Sequence, residues 1–392
     1  MKKTVSILML GVFAVSGLFA QKTAVNSAYT HYGNQYWDKA KRSIDAACLH
    51  PDTKDDAKTW MYRGNIYLMI ANNTNPRYSN LCTDPLDTAY AAYYKANQLN
   101  PEIKVTMQIS TPVIGLKYCS DMFYNQSIEA INAKNYELAF QKGEKAYKCN
   151  PESKDAEYLY ALAAELVNKK DIAKQHYGAL VKAKVKKNDP YMRLSLLYKD
   201  ENDTARALAV IKRHSVLKDS ASGAPINIEY ATTEAIVYAW AGDISKSMEI
   251  MDKALAQDSN NYTLLVNMGT ELTSQKNYAK AEEMLMRANA LKPNDYLILY
   301  NLGTCYYNCY VDIAKSMSAI VDDNEYKKAQ DSTQTLLRKA LPYLEKALSI
   351  EGNDHNTLLM LKLIYPRIEK NESDPDFMAK LKEVEAKLEA EK

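Results

Sequence analysis

Glycine, proline and histidine are scarce in this chain. Its 392 residues include 12 glycines, 12 prolines and five histidines, whereas 47% are hydrophobic and 25% are charged. So few glycines and prolines exclude a collagen-like chain, and the apolar share is too high for a disordered one. The chain is therefore expected to fold into globular units.

An excess of charge is also lacking. The 50 lysines and arginines nearly balance 48 aspartates and glutamates. Lys2 and Lys3 lie in a predicted leader without acidic residues, so its removal leaves 48 charges of each sign. A protein that binds the phosphate backbone of nucleic acids needs a cationic face to displace counterions. The neutral balance therefore argues against nucleic acid as a partner.

The N-terminal segment is different from the rest of the chain. Two lysines precede a mostly apolar run from Val5 to Ala20, and polar Gln21 follows. This order is typical of a secretory signal peptide, here residues 1–20. An uncleaved membrane anchor is the less favoured alternative, because about 20 apolar residues are needed to span a bilayer. No cysteine lies near the expected cleavage point, so we expect an exported, periplasmic protein that is not a lipoprotein and has no membrane span in its mature chain.

Motifs for catalysis, cofactors and metals are missing. The histidines are scattered, and none shares helical spacing with another histidine or with carboxylates in a metal-like cluster. There is no glycine-rich phosphate loop and no Gly-x-Ser-x-Gly motif. Cys305 and Cys309 could form half of a metal site, but two buried thiols in a packing stripe are the favoured interpretation. The sequence thus predicts no enzyme, no cofactor and no metal.

Internal repetition is the strongest signal in the sequence. The segments Tyr262–Gly269 and Tyr296–Gly303 align position by position without gaps. A second signature has two alanines seven residues apart and a proline five residues later. It occurs at Ala89, Ala96 and Pro101, at Ala139, Ala146 and Pro151, and at Ala281, Ala288 and Pro293. The small residues allow close helix packing, and the proline ends a helix.

The aligned segments define a 34-residue period, which resembles the tetratricopeptide repeat (TPR), a helix–turn–helix unit. The resemblance implies an all-α fold, a right-handed superhelical solenoid of about eight hairpins with a C-terminal capping helix. We place the hairpins at about 24–51, 55–101, 112–151, 154–188, 189–219, 226–260, 262–295 and 296–352, with closing helices in 354–392.

Two insertions and one break interrupt the repeats. About 13 extra residues around Asn72–Asp84 are rich in asparagine and include a proline, which predicts a loop. About 25 extra residues, through Lys315–Leu336, contain no proline or glycine, which predicts a helical insertion at about 315–336. A stretch of serine, glycine and proline at 218–225 predicts a break between N-terminal hairpins at 21–222 and C-terminal hairpins at 223–392.

The first helices of TPR hairpins line a concave surface that holds a segment of another protein. The resemblance therefore implies a partner-binding groove that includes Tyr124, Tyr158, Trp240, Thr270, Tyr300, Thr304, Tyr307 and Asn308. Further groove positions implied in this way are Met61, Asn65, Leu68, Ile128, Asn132, Leu162, Glu165, Thr232, Ile236, Thr263 and Val266. Tyrosine and tryptophan are enriched in binding hot spots, but helical repeats also use many aromatic rings for packing. The stripe as a group therefore supports the groove better than any single residue.

Two of the six cysteines are candidates for a disulfide. The third hairpin is expected to turn at Asn135. Cys119 lies before this turn and Cys149 lies after it, at nearly equal distances along the chain. Antiparallel helices place them at nearly the same level. A disulfide needs Cα atoms within about 4.4–6.8 Å, so a bond and two buried thiols are both open.

The sequence as a whole predicts a non-enzymatic periplasmic scaffold that binds a segment of another envelope protein in its groove. The alternative is a protein that binds an envelope glycan or small ligand by stacking on tyrosine and tryptophan rings. A glycan site would gather aromatic rings beside Asp, Asn or Arg in one pocket, whereas a peptide groove would spread its contacts over several repeats.

Overall fold

Helices account for all the regular structure in the computed structural model, which describes residues 23–219, 227–368 and 377–390. The chain divides into two compact units, unit 1 (Met1–Lys186) and unit 2 (Lys187–Lys392). In unit 1, helix α1 includes residues 23–33. The helices after it are α2 (Trp37–Leu49), α3 (Ala57–Ala71), α4 (Pro76–Ser79), α5 (Pro85–Leu99), α6 (Pro112–Asn132), α7 (Tyr136–Cys149), α8 (Lys154–Leu166) and α9 (Lys170–Lys182).

Unit 2 contains the remaining helices and two short 3-10 helices, Met317–Ala319 and Tyr365–Arg367. Its α-helices are α10 (Asp189–Asp200), α11 (Thr204–Asp219), α12 (Ile228–Trp240), α13 (Ile244–Gln257), α14 (Tyr262–Ser274), α15 (Tyr278–Leu291), α16 (Tyr296–Ser316), α17 (Asp323–Ile350), α18 (His355–Ile364) and α19 (Phe377–Ala390). Successive helices pair into eight hairpins across the described residues, with α4 as an extra turn and α18 and α19 after the last hairpin. The predicted all-α series of about eight TPR hairpins with a closing helix is confirmed.

Two of the predicted features fall on parts of the chain outside the described residues. These are the leader, residues 1–20, and most of the predicted break at 218–225, since the description omits residues 1–22 and 220–226. The boundary between 21–222 and 223–392 stays a prediction.

Many hairpin turns are built around a residue with a left-handed backbone. These residues are Gln35, Lys134, Asn168, Asn202, Gly242 and Lys276, with φ between 58° and 84°. The N–H of the next residue then donates to a carbonyl five residues earlier, as Asn135 does to Ala130 at 2.8 Å. This is the Schellman way of ending a helix, and it satisfies carbonyls that the helix leaves unpaired.

Close helix contacts depend on glycines in the first helices. A β-carbon at Gly64 in α3 would lie 2.5 Å from a ring carbon of Tyr93 in α5, and one at Gly115 in α6 would lie equally close to the same ring. Tyr93 is fully buried between the two glycines. In unit 2, a β-carbon at Gly269 would lie 2.5 Å from Cγ of Leu285.

Tyrosine hydroxyls bond to carboxylates and join neighbouring helices. Tyr306 in α16 donates to Glu282 in α15 at 2.7 Å, and burial together with that carboxylate raises the pKa of Tyr306. The other pairs of this kind are Tyr67–Asp45, Tyr177–Glu165, Tyr278–Asp312 and Tyr365–Glu345. A buried tyrosine usually finds a partner for its hydroxyl, so many of the 30 tyrosines have a structural role.

The first insertion, predicted as a loop, contains the single-turn helix α4. Asn75 precedes it and accepts a hydrogen bond from the Arg77 N–H at 3.0 Å, and Pro76 occupies the first helical position. Proline is suited to that position because its missing N–H has no helical partner there. The sequence-based expectation overlooked this Asn-Pro start signal.

The second insertion lies in a projection formed by the end of α16 and the start of α17. These helices have 21 and 28 residues, against 13 and 14 in the preceding hairpin. Side chains from 321 to 332 are exposed except for half-buried Ala329, and Val321 is 95% exposed. Thr333 and Leu337 are buried and mark where α17 joins the core of unit 2.

The glycine contacts predict opposite effects for two glycine-to-alanine substitutions in unit 1. Gly64→Ala would force its new methyl group into the Tyr93 ring, which cannot move away because Gly115 lies against its other side. The substitution should therefore destabilise the protein by about 1–3 kcal/mol. Gly178→Ala in α9 is the matched control, since no atom outside its own helix lies within 4 Å of the new methyl group. The control should be neutral or stabilise by up to about 1 kcal/mol. Urea unfolding measures both, and equal responses would contradict the close contact.

The exposure of the projection predicts that it can be removed without loss of the fold. Replacing residues 318–331 by a short Gly/Ser linker should change the melting temperature by only a few degrees, because these residues bury little surface. Circular dichroism melting measures the change. A variant that fails to fold would show that the projection belongs to the core.

Candidate functional site

The first helices of neighbouring hairpins contact each other and form a continuous face within each unit. In unit 2 the contacts run from α12 to α14, from α14 to α16 and from α16 to α18. In unit 1 they join α3, α6 and α8. A surface that crosses several hairpins can bind an elongated partner at many points.

Four predicted groove residues lie on one side of α16, and we call them the α16 face: Tyr300, Thr304, Tyr307 and Asn308. Their spacing of four, seven and eight residues places them on one helical stripe. All four are half-buried. Tyr300 and Tyr307 also pack against the core of unit 2, so their rings are supported from below.

Two further aromatic rings extend the α16 face along the helix. Tyr296 stacks on Tyr300 with ring centres 6.0 Å apart, and Tyr310 lies 5.6 Å from Tyr307. Near the far end of α16, Asp312 accepts hydrogen bonds from Tyr278 at 2.6 Å and from Lys276 at 3.0 Å. Both contacts lower the pKa of Asp312 and tie the extended part of α16 to the preceding hairpin.

The polar side chains on this side of α16 differ in their hydrogen-bond partners. Asn301 donates to the hydroxyl of Thr270 at 3.2 Å, and that hydroxyl donates to the Val266 carbonyl at 2.9 Å. Thr304 occupies the same position as Thr270 in the following repeat. Its hydroxyl oxygen is buried and has no hydrogen-bond partner among the described residues.

One cation lies near the α16 face. Burial raises the pKa of Tyr307, and the positive charge of the Arg367 guanidinium offsets part of that rise. Arg367 is exposed and ends the 3-10 helix after α18, where its carbonyl accepts a hydrogen bond from Gln334 at 3.1 Å. Sequence analysis missed Arg367 because its proximity to α16 depends on how α17 and α18 fold back.

The other predicted groove residues lie on separate first helices. Trp240 is half-buried at the end of α12, and Thr270 is exposed on α14. In unit 1, Tyr124 is half-buried on α6, and Tyr158 on α8 packs against Tyr177 with ring centres 6.0 Å apart. All eight residues are thus at least partly accessible, and their role in binding stays a prediction.

Three positions in the second hairpin were wrongly assigned to an open groove. Met61, Asn65 and Leu68 are at most 1% exposed. The side chain of Asn65 bonds twice to the backbone of Ile109, from a long loop of the same chain. The groove position exists, but the chain covers it itself. Thr232 and Val266 are also buried and offer little contact area.

All six cysteines carry free thiols in the structure. Cys119 and Cys149 are buried where α6 and α7 come close, since the neighbouring Ser120 hydroxyl donates to the Ala146 carbonyl at 2.8 Å. Burial raises the pKa of Cys119 to about 12, and burial with the nearby Cys119 raises the pKa of Cys149. Cys305 is buried too and contacts the Tyr278 carbonyl.

These pKa shifts predict slow alkylation of Cys119 in the reduced, folded protein. The thiolate is the nucleophile, so a pKa raised from 9.0 to about 12 lowers its fraction at pH 8 by a factor of about 1,000. Half-buried Cys309 is the comparison and should react faster with iodoacetamide, as measured by peptide mapping over time. Equal rates would contradict the burial of Cys119.

Peptide mapping of the protein without reductant tests the proposed Cys119–Cys149 disulfide. A peptide linked through these two cysteines would establish the bond, and six free thiols would exclude it.

Within the described ranges, no group of three or more His, Cys, Asp or Glu side chains could hold a metal ion. In the same parts of the chain, no helix combines the length and apolar character needed to cross a membrane.

Several solved structures are similar to this chain. TTC0263, a thermophilic TPR protein from Thermus thermophilus, is 19% identical with a TM-score of 0.38, covering 47% of this chain and 98% of its own. YrrB, a TPR protein with an unusual peptide-binding site, is 18% identical with a TM-score of 0.37, covering 54% and 97%. A TPR protein from Parabacteroides merdae is 14% identical with a TM-score of 0.34, covering 73% and 98%. No protein-family model and no curated protein sequence matches the chain.

The fold can be assigned from the chain's own features. Helix hairpins repeat with a 34-residue period, and the glycines of their first helices receive side chains from the second helices. The left-handed turn residues follow the same period, from Lys134 to Asn168 to Asn202. The chain therefore has the all-α fold of a tetratricopeptide-repeat protein.

Proposed function

We propose that the protein is a non-enzymatic scaffold that binds a segment of another protein across the first-helix face of unit 2. The α16 face is the centre of the proposed site. The observation that carries the proposal is the pair of half-buried rings, Tyr300 and Tyr307, which lie on one helical stripe with Asn308 and rest on the core of unit 2.

A binding hot spot needs a rigid apolar surface together with a few polar groups that can form hydrogen bonds with the partner. Tyr300 and Tyr307 supply the area, and the core beneath them restricts their movement before binding. The half-buried amide of Asn308 supplies hydrogen-bonding groups beside them.

The proposal includes a place in the cell. A signal peptide at residues 1–20, cleaved after Ala20, would send the mature chain to the periplasm, and its partner would then be another envelope protein. No cofactor takes part in this mode of action.

A glycan or small envelope ligand is the second candidate. It is favoured by one local feature, the grouping of Tyr307, Asn308 and Arg367 at one end of the α16 face. Aromatic rings beside an amide and a guanidinium are the groups that stack on and hydrogen-bond to sugars. The peptide-binding proposal instead uses contacts on α12 and α14 as well.

Site-specific photo-crosslinking in native envelopes distinguishes the two candidates. A crosslinker at Asn308 on the α16 face is compared with one at Met286, an exposed residue on the second helix α15. A protein captured from position 308 and absent from position 286 supports the scaffold. Capture of glycan alone supports the second candidate, and equal capture at both positions contradicts a site on the α16 face.

The rings at the centre of the site predict a measurable loss of affinity. Replacing Tyr300 and Tyr307 together by alanine should weaken binding of the captured partner by about 2–4 kcal/mol, as expected for hot-spot aromatic residues. Titration calorimetry on the purified pair measures this change. Tyr326→Ala is the matched control, since Tyr326 is 45% exposed on the projection and should leave the affinity unchanged.

Thermal melting of the same variants separates binding from packing. Unchanged affinity in the double variant would remove both tyrosines from the site. A large fall in melting temperature with unchanged affinity would assign them to packing between hairpins.

A further inference from the structure

The connection between the second and third hairpins is longer than is needed to join two neighbouring hairpins. Residues 100–111 join α5 to α6 and number 12. Four of the other connections between hairpins have four residues, at 150–153, 258–261, 292–295 and 351–354, and those at 50–56 and 183–188 have seven and six. Four residues therefore suffice to reach the next first helix, and the additional eight need another explanation.

Six residues of this connection fold onto α1 and α3 as a turn, which we call the plug (Val105–Ser110). The Val105 N–H donates to the Ser110 carbonyl at 2.9 Å and closes the turn. Val105 and Ile109 are 7% and 1% exposed and belong to the core of unit 1, whereas Thr106 and Gln108 are exposed. Two aliphatic side chains four residues apart thus hold the plug on the helices.

The backbone of the plug is held by polar side chains of the first helices. Asn65 of α3 accepts from the Ile109 N–H at 3.0 Å and donates to the Ile109 carbonyl at 3.0 Å. Tyr29 of α1 donates to the Thr106 carbonyl at 3.4 Å. Contacts to backbone groups do not depend on which side chains the bound segment carries, so another segment could make them equally well.

Asn65 occupies a repeat position whose side chain is exposed at Thr270 and half-buried at Thr304. It follows Gly64 directly, just as Thr270 follows Gly269 and Thr304 follows Gly303. The three glycines mark the same close contact with the second helix. The first-helix face of the second hairpin is therefore the counterpart of the α16 face, with the plug in the place of a ligand.

We propose that the face of α1 and α3 is a second peptide-binding site, which the chain fills with its own plug. Its ligand is a segment of another protein with two aliphatic side chains four residues apart, whose backbone pairs with Asn65 after the plug has left. This site is separate from the α16 face, and either one can fail its test without affecting the other.

Hydrogen exchange of the intact protein gives the first test. A tethered ligand must leave its site without unfolding of the helices around it. The Ile109 amide should therefore exchange at least about tenfold faster than the buried helical amides of α3, although it is hydrogen-bonded. Exchange of Ile109 at the same rate as α3 would show that the plug opens only on global unfolding, and would overturn the proposal.

Binding in trans gives the second test. In one variant residues 103–110 are replaced by a Gly/Ser linker of equal length, and a fluorescent peptide with the sequence of residues 103–111 is added. The peptide should bind the folded variant and bind intact protein at least about tenfold more weakly. Adding Asn65→Ala to the variant should lower the affinity about tenfold, because two hydrogen bonds are lost. Asn125→Ala, which changes an exposed asparagine on α6 that is not a groove position, should have no effect.

Two altered peptides complete the experiment. Substituting asparagine for the residues equivalent to Val105 and Ile109 should abolish binding, whereas alanine for those equivalent to Thr106 and Gln108 should leave it unchanged. A folded variant that does not bind the unaltered peptide would overturn the proposal. If the variant does not fold, hydrogen exchange of the intact protein decides.

Discussion

The closest helix contacts organise this protein, and they depend on residues with little or no side chain. Tyr93 lies between Gly64 and Gly115, so one ring fills the space between three helices of unit 1. At Gly303 the space is filled by Leu344 from the second helix of the same hairpin. When helices approach so closely, one side of each helix is buried in packing contacts. Only the opposite side of each first helix is then available to contact a partner.

That constraint explains the two roles of tyrosine in the chain. A tyrosine can span the distance between two helices and bond to a carboxylate on the far side, as Tyr306 does with Glu282. It can also rest on the core with one side of the ring exposed, as Tyr300 does. Both roles arise from the same amphipathic side chain, so composition alone could not separate packing from binding. The position within the repeat separates them, because Tyr300 lies on the stripe that faces away from the second helix.

The 34-residue period was enough to predict the hairpins, because small residues and helix-ending prolines recur at fixed distances. It could not predict the turns in detail. Lysine or asparagine occupies the left-handed position at Lys134, Asn168 and Lys276, where glycine would have been a visible signal. The period also could not show that Asn65 is covered, because the residues that cover it, Val105–Ser110, belong to a connection outside the repeat pattern. Contacts made by such irregular segments leave no periodic trace in a sequence.

The residue that directly follows the glycine of a first helix has different hydrogen-bond partners in different repeats. A polar side chain there faces away from the second helix and must find a partner or remain unsatisfied. Asn65 is satisfied by a loop of its own unit, and Thr270 by Asn301 from the next first helix. Thr304 has neither kind of partner among the described residues. The repeat alone therefore does not fix which of these positions stay open to a partner, because neighbouring segments of the chain fill some of them.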